Sequence, residues 1–301
     1  MKIAVLMCTY NGEKYLREQI NSILNQNGDF QIALIIRDDG SNDRTLEILQ
    51  EYKKNSKVKI EYGKNKGPAL GFMELLYKNR GYDFYAFSDQ DDVWKPNKLL
   101  KGISKLSSQK GPALYFANAT LVDSELHSLN LNVYKKKPIL DFRSLSCNGG
   151  ILGCTLILNN ALAKRIQHSN LPSKIVMHDF YVSELCKLIN GSIIYDPESV
   201  MFYRQHGNNV VGVSYGFINK IISRIKDIYE KPDVGIDSQA GDLLVNYKQY
   251  FSIDKIRWLR KIQNYKANFY TRFSLAFNPG LKFVNRNQEL KIRMSILMGN
   301  R

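Results

Sequence analysis

Long apolar runs are missing from this chain of 301 residues. No stretch approaches the roughly 18 consecutive apolar residues of a membrane-spanning helix, so no transmembrane segment is expected. The N-terminal run "IAVLMC" is followed by "TYNGEKY" rather than by a small-residue cleavage site, which favours a first β-strand over a signal peptide. Cysteine is scarce. Cys8, Cys147, Cys154 and Cys186 are widely spaced, match no zinc pattern and read as reduced thiols of a cytosolic protein. A glycine-rich phosphate loop ending in Lys-Ser/Thr is absent, which argues against phosphoryl transfer. So are any recognisable nucleic-acid motif, internal repeat or low-complexity tract. Acidic residues are outnumbered, 28 against 43 Lys and Arg, leaving a formal net charge of +15. The expected partner is therefore anionic: nucleotide phosphates, nucleic acid or an acidic membrane surface.

Strand and helix signals alternate through the first third. "KIAVLMC" and "QIALII" are short apolar runs of the kind buried on both faces, "VKIEY" alternates, and "DFYAFSD" gives a fourth strand. Between them, "EKYLREQINSILNQ" places Leu16, Ile20, Ile23 and Leu24 on one helical face. "DRTLEILQEYKK" follows a cap at Ser41 or Asn42, and "PALGFMELLYKN" opens on Pro68. Pro96 begins a further helix carrying Leu99, Leu100, Ile103 and Leu106. This alternation predicts an α/β fold with a mixed, mainly parallel sheet flanked by helices. From 111 to 213 the pattern is more mixed: "ALYFAN", "GCTLIL", "GSIIYD" and "SVMFYRQH" read as strands and "FYVSELCKLI" as a helix. From about 214 the chain turns basic and aromatic at helical spacing. From residue 215 on, sixteen Lys and Arg face seven Asp and Glu, so +9 of the +15 lies there. The expected division is a catalytic domain over 1–213 and a helical C-terminal appendage over 214–301. Within the first, 1–110 would bind the nucleotide and 111–213 form the acceptor side.

Three strand ends carry suggestive chemistry: "CTYN", "RDDGS" and "SDQDD". Asp89, Asp91 and Asp92 fall within four positions directly after an apolar strand. Three hard oxygen donors suit a divalent cation such as Mg²⁺ or Mn²⁺, and a solvated acidic turn is the alternative. An EF-hand is excluded, because its glycine and glutamate positions would hold Trp94 and Leu100. Asp38 and Asp39 at a neighbouring strand end add a second acidic pair. In so basic a chain, five aspartates at two strand ends point to a bound cation or a hydrogen-bonded ligand.

"VLMCTYNGEKYLREQINSIL", "IIRDDGSNDRT" and "FSDQDDVWKPNKL", in this order and spacing, resemble the family 2 glycosyltransferases of the GT-A fold. The resemblance is closest to the rhamnosyltransferase-like bacterial members that build cell-surface polysaccharides. It covers roughly residues 1–210, and "YRQHGNNVVG" also suits that subgroup. The resemblance implies an inverting, metal-dependent enzyme that moves a sugar, with L-rhamnose from a dTDP donor as the leading case. The acceptor would be a saccharide or a lipid-linked saccharide. Thr9, Tyr10, Asn11, Asp38, Asp39 and Asp89 would then hold the nucleotide. Asp91 would bind Mg²⁺ or Mn²⁺, with His206 as a second ligand and Arg204 near the diphosphate. Asp92, Trp94, Gly149, Gly150 and His178 would border donor sugar and acceptor, together with Gly153. Asp179 in "VMHDFYV" would be the base. Each has a plainer reading beside it: strand-to-helix turns for Thr9–Asn11, a helix cap for Asp179, core packing for Trp94, a bulge or turn for the glycines.

The basic tail reads either as a platform on the anionic inner membrane surface or as a helical subdomain packed on the core, with an oligomer interface as a third option. The location would be cytoplasmic, peripheral on that membrane in the first case. The competing function is a non-catalytic binder of nucleic acid or another anionic polymer. It explains the charge, but it leaves the five aspartates without a role, so no nucleic-acid partner is expected.

Overall fold

This computed structural model describes residues 1–205 and 234–301. Its first four strands are β1 (Lys2–Thr9), β2 (Gln31–Asp38), β3 (Val58–Tyr62) and β4 (Phe84–Ser88). All three of their pairings are parallel, in the order β3-β2-β1-β4. Helices α1 (Leu16–Leu24), α2 (Thr45–Tyr52) and α3 (Gly67–Lys78) connect them. Parallel strands put their carboxyl ends on one edge. Thr9 is in register with Asp38, and Ser88 is beside Met7, so the three acidic or polar turns emerge side by side.

Beyond β4 the sheet turns mixed. A short β5 (Val93–Trp94) is followed by α4 (Lys98–Leu106), then β6 (Ala113–Val122), β7 (Ser128–Asn132) and α5 (Phe142–Asn148). Next come β8 (Ile157–Asn159), α6 (Asn160–Gln167), α7 (His178–Leu188) and β9 (Ser192–Arg204). The order continues β4-β8-β6-β9-β5, with β7 on the side of β6. The "GSIIYD" and "SVMFYR" segments form one strand, β9. Its register on β6 slips between Ala117 and Asn118, opposite Pro197, where a bulge absorbs the residue that cannot donate to the ladder. "GCTLIL" is only half strand, because Gly153–Thr155 make a 3₁₀ turn before β8.

Alternate residues of β1 feed two cores, as period-two geometry requires. Ile3, Val5 and Met7 pack with Leu16, Ile20 and Ile23 of α1 and with Leu99, Ile103 and Leu106 of α4. Leu100 points into solvent instead. On the other face, Ala4 and Leu6 pack with α3, α5, α6 and α7. Each large aliphatic side chain so buried contributes about 1.5–3 kcal/mol.

The last helices are α8 (Ile236–Tyr247), α9 (Ile253–Gln263), α10 (Phe269–Ala276) and α11 (Arg286–Met298). Ile236, Leu243, Trp258, Leu275 and Ile292 join the same hydrophobic cluster as α3 and α7. Polar ties fix the register. Lys255 Nζ donates to the carbonyls of Lys187 (3.0 Å) and Leu188 (2.8 Å), a cation satisfying the last turn of α7. The Tyr181 hydroxyl donates to Asp242 at 2.6 Å. Arg301 donates to the carbonyls of Cys147 (2.7 Å) and Asn148 (3.0 Å) at the end of α5. No helix among the described residues is long and apolar enough to cross a membrane.

Gly102 shows how closely α4 lies on the sheet: an added Cβ would sit 2.5 Å from Ile157 Cδ1 and 2.9 Å from Tyr115 Cδ1. In an open helix, Gly→Ala stabilises by about 1 kcal/mol. Gly102→Ala is expected to do the reverse and destabilise by about 1–3 kcal/mol through overpacking. Urea unfolding followed by circular dichroism reads the sign.

Candidate active site

The carboxyl ends of β1, β2 and β4 open into a cavity of about 630 Å³. At its strand end stand Thr9, Tyr10, Asp39, Asp89, Gln90 and Asp91. Gln90 joins two strand ends. Its Oε1 accepts from Thr9 Oγ1 at 2.6 Å and from the Tyr10 amide at 2.9 Å, while its Nε2 donates to the Tyr10 carbonyl at 3.1 Å. Gly12 has no side chain because a Cβ there would run into the same Gln90 carboxamide.

The "DDGS" aspartates divide their work. Asp38 is outside the cavity lining and serves its own turn. Its carboxylate accepts from the Gly40 and Ser41 amides at 3.0 Å each and from Ser41 Oγ at 2.5 Å. Asn11 is likewise structural: at φ 49°, in the left-handed region that Asn tolerates, its amide donates to Ser41 Oγ and its Oδ1 accepts from Asn42. Ser41 therefore ties two turns together rather than capping α2. Asp39 lines the cavity, and its Oδ1 takes Arg37 Nε at 2.7 Å while Oδ2 takes the Lys66 amide at 3.0 Å. A carboxylate has about four acceptor positions, so Asp39 keeps capacity for a ligand N–H.

Behind Asp89 and Asp91 the side chains are buried. Asp92 is fully buried, outside the cavity lining, and accepts the Arg204 amide at 3.1 Å; its Oδ2 has no hydrogen-bond partner among the described residues. The Arg204 guanidinium points away from the cavity, donating to the Asp91 carbonyl at 2.8 Å and to Glu18 and the Ser124 carbonyl, over the Tyr15 ring. Its position locks the acidic turn, which corrects the expectation of a diphosphate contact. Trp94 is also corrected: it is 3 % exposed, packs in the core on the α1 and α4 side, and stacks under Lys98 Nζ at 3.4 Å. His206 lies outside the described residues.

Lys98 and Cys154 drew no functional reading from the sequence. Lys98 is fully buried and donates to the Cys154 carbonyl at 2.5 Å; burial lowers it to about 7, opposed by the charges of Asp92 and Asp89. Asp89, Asp92 and Cys154 bring their ligand atoms within 4.8 Å of one another. Burial raises Asp89 to about 7, with further upward pushes from Asp91 and Asp179. Asp92 and the Cys154 thiol are also raised well above their ordinary values, by burial first. A protonated thiol is a poor partner for a hard cation, whereas carboxylate oxygens are good ones. The donor set thus suits a hard divalent ion on the cavity side, at Asp89 and Asp91, with the unpartnered Asp92 oxygen behind it.

The far end of the cavity is made by later segments: Tyr134, Asn148, Gly149, Gly150, Gly153 and Asp179 among them. Gly149 and Gly150 turn the chain at φ 63° and 90° after α5, where only glycine is unstrained. Asp179 is in the first turn of α7, after the cap position at Met177. It accepts the Phe180 amide at 2.6 Å, and burial raises it to about 6 against the lowering by backbone amides of Phe180 and Gly153. His178 is stacked against Phe72 and Phe87, at centroid distances of 4.1 and 4.8 Å. Burial lowers it to about 3, so it is neutral at pH 7, and neither ring nitrogen meets a hydrogen-bond partner among the described residues.

The sequence profile described as "Glycosyl transferase family 2" matches residues 4–164, more than half of the chain. The chain belongs to glycosyl transferase family 2. Its curated relatives include the dTDP-rhamnosyl transferase RfbG of Shigella flexneri, 30% identical over 226 residues, covering 70% of this chain and 75% of that protein. An uncharacterized glycosyltransferase of Haemophilus influenzae is 27% identical over 272 residues, 84% of this chain and 81% of its own. Among solved structures, TarS residues 1–349 of S. aureus, in complex with UDP-GlcNAc, superposes with a TM-score of 0.56 at 16% identity. That match covers 99% of this chain and 90% of the TarS chain. The GT-A architecture and a nucleotide-sugar glycosyltransferase activity are thereby assigned. Within this family 2 chain, Gln90 holds the β1 and β4 turns together. Gln90→Ala is expected to weaken nucleoside diphosphate binding at least tenfold, read by calorimetry, while the circular dichroism spectrum stays native.

Proposed function

We propose that this enzyme is an inverting, divalent-cation-dependent glycosyltransferase acting on a saccharide acceptor, lipid-linked at an anionic membrane surface. L-rhamnose from dTDP-rhamnose is the leading donor, by likeness to the Shigella relative. One observation carries the mechanism: Asp179, Asp89 and Asp91 face the same cavity, with Asp39 at its nucleotide end. Its volume of about 630 Å³ suits a nucleotide-sugar, being within the usual range of small-molecule pockets.

Asp39 accepts a hydrogen bond from the nucleobase, and Tyr10, 44 % exposed at the rim, offers it a flat face. Mg²⁺ or Mn²⁺ bound at Asp89 and Asp91 would supply Lewis-acid stabilisation of the leaving diphosphate. Asp179 takes the proton of the attacking acceptor hydroxyl. The new bond forms between that oxygen and the anomeric carbon as the bond to the diphosphate oxygen breaks, and nucleoside diphosphate leaves. A single displacement inverts the anomeric centre. Gly149 and Gly150 let the acceptor approach the backbone, while His178, neutral and with both ring nitrogens buried, backs the wall beside Asp179.

Asp179 must be ionised to act as base, so activity should be lost as pH falls through its value of about 6. The expected acid limb of kcat/KM therefore lies near pH 6, and Asp179→Asn should abolish transfer while leaving donor affinity within about threefold. Wild-type turnover by that variant would remove Asp179 from the reaction. Asp89 is raised to about 7, so a proton should compete with the cation below pH 7. A donor screen following nucleoside diphosphate release, with and without Mn²⁺, tests the reading as a whole. Asp91→Ala should eliminate metal-dependent release, and release that persists undiminished in EDTA would overturn the cation requirement.

A further inference from the structure

Helices α10 and α11 are apolar on two faces. One face of each is buried: Leu275 and Ala276 on α10, Ile292 and Ile296 on α11. The other is bare. Phe269, Phe273 and Phe277 recur every fourth residue, at 68 %, 49 % and 49 % exposure, with Tyr270 beside them at 77 %. Their rings form a row, with centroids 6.4 and 4.6 Å apart. On α11, Leu290, Met294 and Met298 repeat the same spacing and are likewise exposed. Seven of the seventeen exposed large hydrophobic residues among the described residues thus fall within thirty positions, a concentration that a solvated surface does not call for. Arg293 of α11 joins the two rows. It donates to the Ala276 carbonyl, and its guanidinium lies 5.4 Å from the Phe277 ring centre and 5.0 Å from that of Phe283.

Charge decides the occupant. Of the seven Lys and Arg in residues 265–301, Lys266 pairs with Asp237 and Arg301 is docked on α5, leaving five against one acidic residue, Glu289. A second copy meeting this face symmetrically would set like charge against like charge. An anionic lipid surface complements it, with aromatic rings and methionines entering the headgroup boundary and the cations staying at the phosphates. The position also suits the site. A second cavity of about 400 Å³ shares Tyr134, Asn148, Gly149 and Gly150 with the first, and its outer wall is Val284, Asn285 and Gln288, at the start of α11. The exposed Lys136 borders it. The acceptor side therefore opens toward the helix that carries the apolar row, and α11 spans only about 20 Å.

We propose that the bare faces of α10 and α11 are a membrane-docking surface that lies in the headgroup region of an anionic bilayer and turns the acceptor side of the cavity toward it. This rests on the reading of the acceptor as lipid-linked, but its test needs no acceptor. The full chain is sedimented with phosphatidylglycerol/phosphatidylcholine vesicles and with pure phosphatidylcholine vesicles. Wild type should pellet with the anionic vesicles, and less so at high salt. Combined F269S/F273S/F277S should lose at least tenfold in partition, as should L290S/M294S/M298S, with donor turnover in vesicle-free buffer unchanged. Val245→Ser with Ile253→Ser, exposed positions outside the rows, should bind as wild type. Phe273→Trp gives an independent readout, since both native tryptophans are buried. Its emission should shift to the blue on anionic vesicles. Absence of wild-type pelleting, unaltered partition of both row variants, or emission from the Phe273→Trp variant that is already blue without lipid would overturn the proposal. So would a wild-type dimer that the row variants convert to monomer. Failure of glycosyl transfer leaves the vesicle result readable, and failure of docking leaves donor turnover readable.

Discussion

Like charges held together out of bulk water are the constraint that the rest of the site answers. Asp89, Asp91 and Asp92 come from one turn and Asp179 from the start of α7, and the repulsion between the two groups is felt at Asp89. Left alone, such a cluster would splay or take up protons. The fold prevents splaying with neutral backbone and a few cations placed behind the cluster rather than in the cavity. Arg204 grips the turn through its amide and guanidinium, and Lys98 stands in the buried space below. Both cations lie on the buried side of the turn, so under the proposed reading a cation entering from the cavity would meet the carboxylates from the opposite side.

Rigidity is distributed unevenly along the cavity. Its strand end, proposed for the nucleotide, is the junction of three parallel strands, cross-braced by Gln90 and by the Asn11–Ser41–Asp38 hydrogen bonds. The opposite end, proposed for the acceptor, is assembled from a helix start, two glycines at positive φ and a 3₁₀ turn, all backed by C-terminal helices. Regular strands suit a group that is the same in every turnover, and turns suit a wall that varies with the acceptor.

Much of this was legible in the sequence, and the limits have physical causes. The parallel half of the sheet announces itself because strands buried on both faces are continuous apolar runs, as in "KIAVLMC" and "QIALII". Strand β7 and helices α5 and α6 run for only five, seven and eight residues, too few for a pattern to stand out in the sequence. "GSIIYD" and "SVMFYRQH" read as two strands, but the sheet accommodates Pro197 between them as a bulge within β9. At the site, residue type marked the chemistry but could not tell inward from outward. Asp38 and Asp39 are adjacent and indistinguishable by type, yet one serves its turn and the other the cavity. Trp94 follows the acidic turn by two residues and still points into the opposite core. Lys98 was invisible because a lone lysine in a helix reads as surface; only the Trp94 face and the Cys154 carbonyl show it to be buried.

The cavity draws on positions from Cys8 to Arg301. Its two ends therefore need very different lengths of chain. The strand end uses residues up to Asp91, whereas the opposite wall includes Asp179 and Arg301, the latter docked on α5 by helices that fold against α7. Contacts so distant in sequence form late, after the loop between them has closed. During synthesis the strand-end crevice is thus available well before the wall opposite it, and under the proposed reading the capacity to bind the nucleotide would precede the capacity to transfer the sugar.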